Sequence, residues 1–165
     1  MQEPFDPVTK GHLDIITRSF SFCDKLIIAA GVNAAKKTLF SEDERINLIK
    51  KSIHEEDNRS YIDPDKKIEV TSFQGLLTEY AKKVNASILI RGIRSVSDFE
   101  YEINLASINK TLAPEIETIF MPTSPDLAVV SSSAAKEIAK YNGDVSKFVS
   151  RSVAEALYEF FKVNG

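Results

Sequence analysis

Thr9-Lys10-Gly11-His12 follows a turn made by Phe5-Asp6-Pro7 and runs into an amphipathic segment that begins at Leu13. Pro7 has a fixed φ and disfavours a helical Asp6, so the chain turns before it can coil. Gly11 lets the backbone come close to whatever docks at the turn. His12 falls in the first turn of the helix that follows, where N–H groups without helical partners and the positive dipole end attract anions. An imidazole there can donate a hydrogen bond to a phosphate oxygen. Three further groups carry charge or donors: Lys36 and Lys37, Arg91-Gly92-Ile93-Arg94, and Ser131-Ser132-Ser133. None of them makes a nucleophile–base pair or a metal-ligand cluster. The set suits a reaction in which phosphate charge is positioned and neutralised, with little covalent work by the protein.

Each group also has a plainer reading. Exposed lysines solubilise, surface arginine pairs add little stability, and a serine before a helix caps it. Placement in the chain favours the chemical reading. The apolar run 25–31 ends in Gly31 and reads as a buried strand; 68–71, 87–90 and 118–121 read the same way. Helices are expected at 13–23, with Leu13, Ile16 and Phe20 on one face, and after the capping box Ser41-Glu42-Asp43-Glu44, with Ile46, Ile49 and Ile53 inward. Others are expected through Leu76, Leu77, Tyr80, Ala81 and Val84, a stripe read as core, and at 97–112, with Ile108 and Leu112 on one side. Two more run from Ser131 to the stop at Asn142-Gly143 and over 152–163. Residues 55–67 form a polar surface excursion.

Strands therefore alternate with helices, which predicts an α/β fold: a Rossmann-like parallel sheet with helices on both faces, in one domain over 1–165. In such sheets ligands bind at the carboxyl ends of the strands. The His12 turn, the Lys36 loop, the two arginines and the triple serine all fall at strand-to-helix handovers, on one rim.

Composition narrows the rest. A 165-residue chain with 43% hydrophobic and 27% charged residues has the balance of a globular protein with a real core. A net charge of −3 argues against a general nucleic-acid binder. The apolar runs are too short to span a membrane. The single cysteine, Cys23, excludes an internal disulfide and fits a reducing, cytoplasmic setting.

Phe5-Asp6-Pro7-Val8-Thr9-Lys10-Gly11-His12, Ile90-Arg91-Gly92-Ile93-Arg94, Asp98-Phe99-Glu100-Tyr101-Glu102 and Ser131-Ser132-Ser133 together resemble the bacterial phosphopantetheine adenylyltransferases of the nucleotidylyltransferase superfamily. Thr-x-Gly-His is shared across the superfamily; Arg-Gly-x-Arg followed by Asp-Phe-Glu-Tyr-Glu is much more specific. The resemblance covers nearly the whole chain. It implies reversible transfer of adenylate from ATP to 4′-phosphopantetheine, giving dephospho-coenzyme A and pyrophosphate, with Mg²⁺ assisting. Carried over by motif, His12, Lys36 and Arg91 would be catalytic. Phe5, His12, Gly92, Ile93, Arg94, Glu102 and the segment Leu127, Ala128, Val129, Val130, Ser131, Ser132, Ser133 would bind ATP. Lys36, Leu77, Arg91, Tyr101, Asn109 and Glu137 would bind the acceptor, Lys37 standing beside Lys36 as the other candidate, and no residue would hold a resident metal.

The resemblance also implies a homohexamer, coenzyme A as a feedback ligand, and no nucleic-acid or membrane partner. Leu127 stands where the family often has an aromatic. Glu3-Pro4 stands where the family has Gly-Thr at the end of a first strand, and a sheet lacking that strand would expose edges. Two other readings stand beside the main one. A sister nucleotidylyltransferase would use another acceptor or nucleotide, such as nicotinamide mononucleotide or CTP. A catalytically weak nucleotide- or coenzyme A-binding protein would bind without releasing pyrophosphate.

Overall fold

The computed structural model describes residues 5–32, 37–56 and 67–164. Glu3-Pro4, Lys36 and residues 57–66 of the polar excursion lie outside the described residues. The elements run α1 (Lys10–Ser19), β1 (Lys25–Val32), α2 (Glu42–Glu56), β2 (Lys67–Gln74), α3 (Leu77–Lys83), β3 (Ile88–Ile93), α4 (Val96–Leu112), β4 (Glu117–Pro122), α5 (Ser132–Lys140) and α6 (Arg151–Asn164). A short 3₁₀ turn, Pro125–Leu127, links β4 to α5.

Two β-α-β units make the centre. β1 and β2 pair in parallel, Leu26 opposite Ile68 and Val32 opposite Gln74. β3 and β4 pair in parallel, Ile88 opposite Glu117 and Ile93 opposite Pro122. A parallel neighbour requires a crossover, and α2 and α4 supply the two. The expected parallel α/β architecture is present. Among the described residues, however, β1 and β3 do not pair with each other, so the strands form two two-stranded sheets. A cavity of about 800 Å³ lies between them, lined by β1, β3 and the flanking helices.

The larger core joins α1, β1, α2, α5 and α6, with Ile49, Ala135, Val153 and Leu157 completely buried. Ile49, Val153 and Leu157 each stabilise the fold by about 1.5–3 kcal/mol through removal from water. A smaller cluster, Ala81, Leu89, Ala113 and Ile116, lies under β3. α2 starts at the expected box: the Ser41 N–H and hydroxyl each donate 2.7 Å to the Glu44 carboxylate. The hydroxyl bond foremost, then the N–H, holds the Glu44 carboxyl below its ordinary value.

Several inward faces differ from those read off the sequence. α2 buries Arg45, Leu48, Ile49, Ser52 and Ile53, while Ile46 is half-buried. Leu76 is 57% exposed; Ala81 is buried in the smaller core cluster with Leu77 packed against it, and Leu77, Tyr80, Ala81 and Val84 also line the cavity. On α4, Ile108 and Leu112 are 55% and 45% exposed. Helical spacing identifies residues that share a face; it does not say whether anything packs on that face.

Candidate active site

The cavity runs along Lys25–Ala29 of β1 and Ile88–Gly92 of β3, and the candidate residues reach it from α1, β3 and the start of α5. α1 begins three residues earlier than its apolar stripe suggests, because Thr9 caps it and puts His12 at the third helical position. The Thr9 N–H and hydroxyl both stand 3.0 Å from His12 Nδ1, and the His12 N–H donates to Thr9 Oγ1 at 3.4 Å. This is a capping box in which an imidazole takes the place of the usual Glu or Gln. A backbone N–H can only donate, so Nδ1 must accept. The ring proton therefore sits at Nε2, which is left as the donor nitrogen. The edge of Phe5 packs on the ring, with centroids 5.0 Å apart.

β3 extends into the arginine motif as far as Ile93 rather than stopping before it. Arg91 is 9% exposed and donates through Nε and Nη2 to both oxygens of Glu102, at 2.8 and 3.0 Å. Burial lowers the Arg91 pKa, and the charge and hydrogen bonds of Glu102 oppose that shift. Gly92 lets α1 lie close: a Cβ there would stand 3.2 Å from Ile15. Arg94 donates to Asp98 through Nε at 3.1 Å and to the Val130 carbonyl through Nη1 at 3.2 Å. It thereby links β3 to the segment leading into α5.

α5 presents its N-terminus to the same space. Ser131 caps it by accepting from the Ala134 N–H at 3.1 Å. The Ser132 hydroxyl donates to the Pro7 carbonyl at 2.7 Å, which fixes α5 against the His12 turn. Ser131 thus is the cap that the plainer reading requires, and capping leaves the other N–H groups of the first turn available to an anion.

Phe5, His12, Leu77, Arg91, Gly92, Arg94, Val130 and Ser131 to Ser133 all line the one cavity. Ile93 is half-buried in β3, and Leu127 and Ala128 are half-buried in the link before α5, off the cavity lining. Val129 is 77% exposed. Glu102 is 2% exposed and sits behind Arg91. Tyr101 is 61% exposed on the outside of α4, and Asn109 lies about 10 Å further along that helix from Glu102. Glu137 is exposed on α5. Lys36 is outside the described residues, and Lys37 is exposed.

Two supporting carboxylates had no reading in the sequence. Asp6, 3% exposed, accepts from the Leu39 and Phe40 N–H groups at 2.9–3.0 Å and from Lys136 Nζ at 2.9 Å. It ties the loop after β1, the Pro7 turn and α5 into one unit. Asp14 accepts from the N–H and hydroxyl of Ser124 at 2.9 and 2.8 Å, holding the link after β4 against α1. Their partners lie 33 to 130 residues away, so no local pattern could mark them. No group of three or more potential metal ligands occurs among the described residues. Asp6, Asp98 and Glu102 are each engaged by protein donors.

Residues 4–138 match the model of the cytidylyltransferase-like family. The chain is similar to a phosphopantetheine adenylyltransferase of Caldanaerobacter subterraneus subsp. tengcongensis, 52% identical over 158 residues, covering 96% of this chain and 93% of the relative. A phosphopantetheine adenylyltransferase of Clostridium perfringens is 46% identical over 155 residues, covering 94% of this chain and 89% of its own length. One from Lachnoclostridium phytofermentans is 43% identical over 161 residues, covering 98% and 92%.

Proposed function

The chain belongs to the phosphopantetheine adenylyltransferases, a cytidylyltransferase-like family of nucleotidyltransferases, and from that membership we propose that it reversibly transfers adenylate from ATP to 4′-phosphopantetheine, yielding dephospho-coenzyme A and pyrophosphate in coenzyme A biosynthesis. The observation that supports this most is the convergence of His12, Arg91, Arg94 and the α5 N-terminus on one cavity. An oxygen of the acceptor phosphate attacks the α-phosphorus of ATP. The bond from that phosphorus to the bridging oxygen breaks, and pyrophosphate leaves. His12 donates from Nε2 to the α-phosphate, where negative charge develops in the transition state. Arg91, with Lys36 or Lys37, holds the acceptor phosphate. Arg94 and the first N–H groups of α5 hold the departing phosphates. Phe5, Gly92, Ile93 and the segment 127–130 form the nucleotide side, and Leu77 meets the pantetheine arm. Tyr101, Asn109 and Glu137 remain acceptor-side assignments carried over by motif.

Mg²⁺ belongs to this reading: held by the phosphate oxygens of ATP, it would offset their charge. No helix among the described residues is long and apolar enough to cross a membrane. A cytoplasmic location is part of this reading. Coenzyme A shares the product's skeleton and would compete for the same cavity as a feedback ligand.

The test is pyrophosphate release from ATP, Mg²⁺ and 4′-phosphopantetheine, with nicotinamide mononucleotide and CTP as alternatives. Release with 4′-phosphopantetheine and ATP is expected. Release only with another acceptor or nucleotide would overturn the reading in favour of a sister enzyme, and binding without release in favour of a binding protein. Arg91→Lys keeps the charge but loses the planar fork. It should raise the acceptor KM by about 10–100-fold, the loss of charge-assisted bonds, and leave the ATP KM nearly unchanged. The opposite split would mean that the two pockets are reversed.

A homohexamer belongs to the same reading. Exposed apolar residues on more than one side of α4 support it: Val96 is 76% exposed, and Ile103, Ile108 and Leu112 are 43–55% exposed. Apolar surface of that extent usually marks a contact surface. Sedimentation should give about six times the 18.4 kDa chain mass. A monomer's mass would refute the hexamer.

A further inference from the structure

The link 123–130 joins β4 to α5 and includes the nucleotide-side segment 127–130. Little apolar packing holds it. No residue of the link belongs to either core cluster of the described residues, and Pro125, Asp126 and Val129 are exposed. A segment with so few buried contacts owes its order to hydrogen bonds.

The side chains that supply them act at its two ends. At the far end Arg94 Nη1 donates to the Val130 carbonyl at 3.2 Å. At the near end stands a charged pair on α1. Asp14 accepts the Ser124 N–H at 2.9 Å through Oδ2 and the Ser124 hydroxyl at 2.8 Å through Oδ1. Arg18, one turn on and on the same helix face, donates through Nη1 to Asp14 Oδ2 at 3.0 Å and to the Pro122 carbonyl at 2.7 Å. We propose that Asp14, backed by Arg18, is a positioning residue for the nucleotide: it sets the link in advance, so that 127–130 meets ATP already ordered.

The turn between the ends passes the position along. The Ser124 carbonyl accepts from the Leu127 N–H at 2.8 Å, and the Leu127 carbonyl accepts from the Val130 N–H at 3.0 Å. The link also lies close over the start of α1. A Cβ on Gly11 would stand 3.6 Å from Thr123 Cγ2 and 3.7 Å from the Leu127 carbonyl oxygen. Asp14 thus ties the nucleotide side to the helix that carries His12. As a stabiliser of the fold the ion pair contributes little, since the Arg18 side chain is 40% exposed. Its effect is on order. Without Asp14 the link is free to take other positions, and ATP binds only the fraction of chains that hold the right one. A segment ordered in advance loses less freedom when its ligand arrives. Arg91 and Leu77, read as acceptor contacts, lie on β3 and α3 instead.

This role rests on the reading of 127–130 as the nucleotide side. Its test uses the full chain as wild type, Asp14→Ala, Asp14→Asn and Ser124→Ala. ATP KM, acceptor KM and kcat are measured, together with amide hydrogen exchange at Leu127, Ala128 and Val130. Asp14→Ala should raise the ATP KM by about tenfold, the effect of a link in place in one chain of ten, with acceptor KM and kcat nearly unchanged. Exchange at the three amides should quicken, while exchange in β3 stays as in wild type. Asp14→Asn should recover most of the ATP KM, because its carbonyl oxygen still takes the Ser124 N–H and the hydroxyl turns to accept from the amide. A general loss of structure would not spare the acceptor KM in this way.

Unchanged exchange at the three amides in Asp14→Ala would overturn the positioning role, whatever the reaction. Faster exchange with an unchanged ATP KM would overturn the proposal as well; a raised acceptor KM in that case would place the link on the acceptor side and overturn the nucleotide reading with it. If wild type releases no pyrophosphate with 4′-phosphopantetheine, the reading of the reaction falls and the ATP Kd takes the place of its KM. The same weakening in Asp14→Ala would then support the role, and an unchanged Kd would overturn it. If Asp14→Ala does not fold, Ser124→Ala removes the hydroxyl contact alone. The same split is then expected at about threefold, the loss of one hydrogen bond, and its absence would overturn the proposal.

Discussion

Replacing His12 with alanine should lower turnover by about 10²–10³-fold, the usual cost of removing one donor to developing charge in an enclosed site. The argument begins with Thr9. Its N–H occupies Nδ1, so the proton is held at Nε2 and the ring cannot turn over without breaking that bond. Phe5 packs on the ring and restricts it further. The same side chain also caps α1, and its loss should cost about 1 kcal/mol of stability. The fold should survive, because Leu13 and Ile16 anchor the helix in the core and the Lys10 N–H donates to the Phe148 carbonyl at 2.9 Å. His12→Gln separates the two roles. Glutamine is an accepted partner in a capping box, so thermal stability should recover while turnover does not. Near-normal turnover in a folded His12→Ala protein would remove the histidine from the mechanism.

The largest expected effect on stability comes from Asp6, which a reader of the motif would pass over as a turn residue. Asp6→Ala should destabilise the protein by about 3–5 kcal/mol, the range for breaking a buried, charge-assisted network by removing one partner. The Leu39 and Phe40 N–H groups would be left in the interior without their acceptor. Lys136 adds less, since its side chain is 30% exposed and can turn to water. In a chain of this size the melting temperature should fall by roughly 10–15 °C. Asp6→Asn should recover little, because an amide presents a donor where the carboxylate meets only donors. A melting temperature within a few degrees of wild type would show that these donors find water or another acceptor. Any active remnant should bind the acceptor poorly, since Asp6 also holds the loop that follows Lys37 against the Pro7 turn.

The amino-acid sequence by itself determined whatever depends on neighbours within about one helical turn, or on a whole motif. The Thr9 to His12 helix start, the Ser41–Glu44 box, the four parallel strands and the placing of both arginines at a strand's end are of that kind. Turn chemistry, capping and apolar runs are local, and four matching motifs together sufficed to identify the family. The tertiary structure alone decided which residues support the site. Asp6 depends on backbone 33 residues away and on a lysine 130 residues away. Asp14 meets Ser124 across 110 residues. Glu102 is carried over by motif to ATP and could equally be a solvated carboxylate; only the packing of α4 over β3 shows it desolvated against Arg91. The stripes of α3 and α4 were legible as stripes, yet α3 divides its face between a core cluster and a cavity, and α4 leaves Ile108 and Leu112 exposed. Periodicity sets the direction in which side chains point; only packing of distant segments sets what they meet there.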